Sequence, residues 1–140
     1  MYVLDTNVIS ELRRGKAQPS ANVLAWAGDT QASTMFLSAI TVLELEMGVL
    51  LLERKTPPQG VALRAWVNSV RAAFEGRILA FTEEAALLCA RMHVPNPKAD
   101  RDAMIAATAR VHGFTVVTRN TADFAETGAQ LLDPWSYVIS

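Results

Sequence analysis

Short runs of β-branched and aliphatic residues alternate along this chain with longer stretches in which apolar residues recur three and four positions apart, the pattern of strands interleaved with helices. The short runs predict strands over residues 2–4, 35–37, 77–79, 115–117 and 130–132. The longer periodic stretches predict helices over residues 8–14, 21–28, 42–53, 61–74, 83–92 and 101–112. Residues 55–60, with Pro57 and Pro58, read as a helix–helix connection, because neither flanking half has a complete set of strands of its own. His112-Gly113 reads as a helix end closed by a left-handed glycine. Such alternation specifies an α/β fold, with a mainly parallel central sheet of about five strands.

In an open parallel sheet, ligands bind where strands turn into the following helices, at their carboxyl ends. Four acids fall there. Asp5 ends the first strand, Glu44 opens the helix after the second, Asp102 opens the helix before the fourth, and Asp123 follows the fourth in what reads as a single helical turn. Each also has a plainer reading. Asp5 suits a helix start, with Thr6 or Asn7 as the cap. Thr41 and Glu44 match a capping box. Asp123 suits a turn, and Asn120 is an alternative ligand in its place. Periodicity argues for more at two positions. Met47, Gly48 and Leu51 follow Glu44, and Ile105, Ala106 and Ala109 follow Asp102, at three, four and seven residues, so both acids head stripes expected to face the protein body. Glu46 is then the solvated neighbour of Glu44, and Asp100 the N-cap before Asp102. Gly48 inside a helix costs about 1 kcal/mol relative to alanine, which predicts close approach of another backbone there.

Carboxylates gathered without a cation raise one another's pKa, so a cluster of four makes physical sense around a divalent ion. Magnesium fits best, as a hard ion that favours oxygen ligands and keeps several of its waters. Such ions activate water and neutralise charge in phosphodiester hydrolysis. Other chemistries lack their residues. The 7 glycines are isolated and form no phosphate loop. His93 and His112 have no cysteine partners at zinc spacing, and nothing resembles a serine nucleophile elbow.

Composition narrows the picture further. The 140 residues are 51% hydrophobic and 19% charged, which predicts one folded domain over residues 1–140 rather than a disordered chain. The longest aliphatic run, residues 49–52, is far short of the roughly 20 needed to cross a bilayer, and the start lacks a secretory pattern, so a cytoplasmic location with no membrane contact is expected. The single cysteine, Cys89, reads as a buried small hydrophobe. A net charge of −1 is not the strongly basic balance of a protein that grips nucleic acid by charge alone. Contacts to RNA would have to come from local cations: Arg13, Arg14 and Lys16 after the first helix, then Lys98, Arg101, Arg110 and Arg119.

At these residues the chain resembles PIN-domain ribonucleases, especially the VapC toxins and their FitB-like relatives, from end to end. Residues 3–11 (VLDTNVISE) look like the family's first segment, with Asp5. Residues 41–48 (TVLELEMG) look like the second, with Glu44, and residues 102–110 (DAMIAATAR) like the third, with Asp102. Residues 117–124 (VTRNTADF) resemble the fourth, with Thr118, Asn120 and Asp123, and Leu132-Asp133-Pro134-Trp135 fits the FitB-like ending. The resemblance implies a three-layer, doubly wound α/β/α fold. It implies a Mg2+ site, with Mn2+ as a substitute, in which Asp5, Glu44, Asp102 and Asp123 are catalytic and metal-binding, supported by Thr6, Asn7, Thr118 and Asn120. It further implies endonucleolytic cleavage of RNA by a metal-activated water, a homodimer, and a cognate VapB-like antitoxin that covers the acidic site. The apolar excess on the helices over residues 42–52 and 61–74 is expected to serve those contacts. Two rival readings are an aspartate-based phosphatase or phosphotransferase using Asp5 as nucleophile, and a non-catalytic PIN module that binds nucleic acid or protein.

Overall fold

Side chains of the two innermost strands alternate between two separate cores, and that alternation sets the layering. The computed structural model describes all 140 residues. Strands β1 (Tyr2–Leu4), β2 (Met35–Ser38), β3 (Ile78–Leu79), β4 (Thr115–Val117) and β5 (Gln130–Leu132) form one sheet in the order β3-β2-β1-β4-β5, all parallel. Val3 and Val116 point to one face, where they meet helices α5 (Glu83–Met92) and α6 (Asp100–His112) through Ala85, Cys89, Ala103 and Ala106. Leu4, Leu37 and Val117 point to the other. There they meet α1 (Thr6–Glu11), α2 (Ala21–Asp29), α3 (Ala39–Lys55) and α4 (Pro57–Ala73) through Val8, Trp26, Leu45, Val49 and Val67. A four-residue helix, α7 (Thr121–Phe124), follows β4 and buries Phe124. The three-layer arrangement is the one expected, and no helix is long and apolar enough to cross a membrane.

The order of strands locates the cleft. After β1 the chain moves outward to β2 and β3, then returns to place β4 on β1's other side. The carboxyl ends of β1 and β4 are therefore the switch point, the place where open parallel sheets bind their ligands.

Several local expectations change. The α3–α4 connection is one residue, Thr56, because α4 begins at Pro57-Pro58, where proline's missing N–H costs nothing. The two helices pack so closely that a Cβ on Gly60 would stand 2.7 Å from Glu53 Cα. Close backbone approach thus occurs at Gly60; at Gly48 a Cβ would meet nothing within 4 Å. Glu46, expected in solvent, is bound by Arg64 of α4, whose Nη1 donates to it at 2.7 Å. The stripe Met47, Gly48, Leu51 faces outward, with Leu51 66% exposed, because α3 lays Ile40, Thr41, Leu45 and Val49 inward. Gly113 does end α6 in the left-handed region, at φ 70°, and Cys89 is buried.

Candidate active site

Asp5 leaves β1 with its N–H bonded to Val117 O of β4 at 2.9 Å, so it stands at the switch point. Its own side chain caps α1: Oδ1 accepts from Thr6 N at 2.8 Å. This corrects the expectation that Thr6 or Asn7 would cap; both lie inside α1, because the helix starts directly after the strand. The other oxygen, Oδ2, accepts from the fully buried Thr118 hydroxyl at 2.8 Å and from Asn7 Nδ2 at 3.4 Å. Thr118 in turn accepts from Asn120 N at 3.0 Å, and Asn7 Oδ1 accepts from Arg119 N at 3.3 Å. The ends of β1 and β4 are stitched together around one buried carboxylate. Asn120 contributes through its backbone, and its exposed side chain makes no hydrogen bond.

Glu44 lies in the second turn of α3, not at its start. Ser38 caps that helix, accepting from Thr41 N at 3.1 Å, so the Thr41–Glu44 capping box does not form and the glutamate is released from it. Glu44 Oε1 instead accepts from the Thr6 hydroxyl at 2.8 Å, which ties α3 to the residue after Asp5. Its Oε2 lies 3.4 Å from Arg101 Nη1. Arg101 was expected only as a cation for RNA; its position beside Asp102 at a helix start was the signal available. Asp102 is half-buried in the first turn of α6, above the buried Ile105, Ala106 and Ala109 as expected. Asp100 is not the cap of this helix: Ala99 holds that position without a side-chain bond, and Asp100 is exposed, 3.9 Å from His93 Nε2. Asp123 is exposed in the single turn of α7, at the rim.

Two of the four acids are visibly perturbed. Burial, then repulsion from Asp5, Asp123 and Glu44, pushes the Asp102 carboxyl up to about 6, against a smaller opposing pull from Arg101. Burial also raises Asp5, relieved by its bonds to Thr118 and Thr6 and aggravated by Glu44 and Asp123.

A model of the PIN domain matches residues 2–130. The chain is 39% identical to the VapC ribonuclease Y4jK of Sinorhizobium fredii, over 96% of this chain and 98% of that one. It is 40% identical to Toxin FitB of Neisseria gonorrhoeae, over 96% and 99%. This chain belongs to the PIN-domain family. The fold of this PIN domain agrees with that of solved relatives. The crystal structure of FitAcB from Neisseria gonorrhoeae aligns with a TM-score of 0.86 at 38% identity, covering 97% of this chain and 99% of that one. The structure of FitAB bound to an IR36 DNA fragment aligns with a TM-score of 0.84 at 36% identity, covering 99% of both.

The donor set of the PIN domain's cleft is all oxygen: carboxylates from Asp5, Glu44, Asp102 and Asp123 with hydroxyls from Thr6 and Thr118. That chemistry fits a hard divalent ion such as magnesium and not a soft one. As the side chains stand, no three acidic groups converge closely enough to hold an ion between them. Glu44 is turned to Thr6 and Arg101, and Asp123 stays at the rim.

The cations flagged in the sequence divide. Lys16 pairs with the buried Glu11, Lys98 with Glu126 at 3.3 Å, and Arg101 with Glu44. Arg110 donates to Thr127 O at 2.9 Å, holding the turn before β5. Arg13 lies over the Trp66 ring, 5.3 Å from its centroid. Arg119 lies over Trp135 at 5.0 Å, next to the Asn7 contact. Arg14 is exposed and makes no ion pair.

Proposed function

We propose that this PIN domain is the ribonuclease toxin of a VapBC-like toxin–antitoxin pair, cutting RNA with Mg2+, or Mn2+ in its place. Asp5 and Asp102 hold the ion, with Glu44 and Asp123 beside them. The names of its full-length relatives, a VapC ribonuclease and Toxin FitB, support the activity. The observation that carries the reading is Asp102: half-buried at the start of α6, its carboxyl pushed up to about 6 by burial and then by repulsion from Asp5, Asp123 and Glu44. A buried charge opposed by like charges is a cost to the fold that a cation at the site relieves, and perturbed carboxylates of this kind mark functional clefts.

Each residue then has a task. Thr118 and the Thr6 amide fix both oxygens of Asp5 and favour its ionised form. Asn7 and the Arg119 and Asn120 amides hold the β4 end in register with α1. Thr6, bonded to Glu44, keeps the second-segment acid beside the first. A bound divalent ion supplies a nucleophilic water at neutral pH and offsets charge on the phosphate. Asp5 as a phosphoryl-accepting nucleophile is disfavoured, since both its oxygens are already engaged.

The partner follows from the relatives too: FitAB and FitAcB are the proteins of the aligned structures. Leu43, Leu50, Leu51 and Val61 of α3 and α4 are 47 to 70% exposed, an apolar surface suited to an antitoxin or a second copy. The toxin would act in the cytoplasm, where RNA is. Incubating antitoxin-free protein with total bacterial RNA, in magnesium or in chelator, beside Asp102→Asn, tests the activity. The expected result is discrete new RNA ends that need both magnesium and Asp102. Ends that persist in chelator or in the variant would defeat the reading.

A further inference from the structure

A second cleft, of about 450 Å3, opens between the end of α1 and α4, and it is lined by Ser10, Arg13, Arg14, Lys16, Leu63 and Trp66. Three features set it apart from a scatter of surface charge. First, it lies on the continuation of the active-site helix. Ser10 follows Thr6 by four residues and Asn7 by three, so it shares their helix face, and the turn Arg13 N to Ser10 O at 3.3 Å carries that face on to Arg13. From Asp5 to Ser10 a helix rises only about 7 Å, a span that the next few nucleotides of a bound strand cover.

Second, its cations are not equivalent. Lys16 is occupied by the buried Glu11, which also accepts from Ser20 N at 2.8 Å. That pairing closes the loop and leaves Arg13 and Arg14 to supply the net positive charge. Third, Arg13 lies over Trp66, its guanidinium carbon 5.3 Å from the ring centroid. A guanidinium plane backed by an indole is a stacking surface for a base, and unpaired bases stack on arginine planes as they do on aromatic rings. The cleft is open to solvent along one side, and its volume is on the scale of a single nucleotide.

We propose that this cleft binds an unpaired nucleotide of the RNA strand beside the cut, with its base against the Arg13 guanidinium and its phosphate on Arg14. The identity of the strand rests on the ribonuclease reading above; the cleft's role as a binding site is measured separately from cleavage. An acidic segment of a protein partner is the competing occupant. Arginine alone would serve either, but an arginine set over an indole adds an apolar, π-bearing face that favours a base.

The test measures binding of a labelled single-stranded RNA decamer of mixed sequence by fluorescence anisotropy, across a salt series. It uses Asp102→Asn protein, so that the strand is not cut. Arg14→Ala should weaken binding about threefold and lower the slope of log affinity on log salt by about one, the mark of a lost phosphate contact. Arg13→Lys keeps the charge and removes the plane, so it should weaken binding about tenfold with the salt slope unchanged. Arg54→Ala, at the exposed end of α3, removes the same charge elsewhere and should change binding less than twofold. Affinities and slopes for Arg13→Lys and Arg14→Ala that match Arg54→Ala overturn the proposal. So does a result in which those two variants bind RNA normally and lose only a co-purifying protein partner. Cleavage is scored in parallel with Asp102 intact. Magnesium-dependent cutting with binding indifferent to Arg13 and Arg14 removes the cleft and leaves the nuclease. Binding through the cleft without any cutting removes the nuclease and leaves the cleft.

Discussion

Replacing Asp102 by asparagine should stabilise the metal-free protein while abolishing RNA cleavage. Asn preserves the shape of the side chain in the first turn of α6 and removes the charge that Asp5, Asp123 and Glu44 oppose. The carboxyl is raised from 3.8 to about 6, and at 1.36 kcal/mol per pKa unit that is an upper bound of roughly 3 kcal/mol. Asp102 is only half-buried, so screening by solvent reduces this to about 1 kcal/mol. In the folded state Asp102 keeps its proton to a higher pH than in the unfolded chain. Folding stability therefore falls as pH rises from about 4 to about 6, and the deficit stays constant above. The advantage of the asparagine variant should be absent below pH 4 and complete by pH 7. A gain of about 1 kcal/mol corresponds to roughly 3 to 6 °C in a domain of this size. Thermal unfolding in chelator at pH 4 and pH 7.5 measures it, and repeating the scans with magnesium should reverse the order, because the wild-type protein gains stability from the ion and the variant gains less. A variant less stable than wild type at pH 7.5 in chelator, or an advantage equal at both pH values, would refute the claim that burial and neighbouring carboxylates together oppose the Asp102 charge.

Thr118→Val keeps the shape of a fully buried side chain and removes the hydrogen bond to Asp5, so it should cost about 1.5 to 3 kcal/mol by urea unfolding at pH 7.5. Because that bond is the largest influence lowering the Asp5 carboxyl, its loss should move the acid limb of the cleavage profile to higher pH. Two glycines in the α3–α4 hairpin should respond with opposite sign. Gly60→Ala forces Cβ against the Glu53 backbone and should destabilise by about 1 to 3 kcal/mol, whereas Gly48→Ala, with nothing near, should stabilise by about 0.5 to 1 kcal/mol. Thr41→Val should be neutral to stabilising, since the fully buried Thr41 hydroxyl has no partner and an apolar replacement relieves a buried polar group.

The five strands were legible in the sequence because a short β-branched run flanked by turn residues has few other uses, and each lies within one residue of its expected place. Asp5 was legible for a related reason: it follows β1 directly, and an all-parallel sheet gathers strand ends along one edge. Caps were harder to read. Ser38 and Thr41, like Asp5 and Asn7, offer competing acceptors a few residues apart, and the helix starts at whichever one the preceding strand delivers to the right place. The inward face of α3 was harder still. Ile40, Leu45 and Val49 lie on one side of it and Leu43, Met47, Leu50 and Leu51 on others, so periodicity alone offers more than one buried stripe.

By itself, then, the sequence determined the order of strands and helices, the family, and the place of Asp5 at the end of β1, because these depend on local pattern. Tertiary structure alone decided the relations between segments distant in the chain. It set Thr118 under Asp5 across 113 residues, turned Glu44 toward Thr6 and Arg101, and paired Lys16 with Glu11 so that Arg13 and Arg14 carry the charge of the second cleft. Those contacts depend on how the sheet twists its neighbours together and on which apolar face of each helix wins the core, and no short-range pattern encodes either.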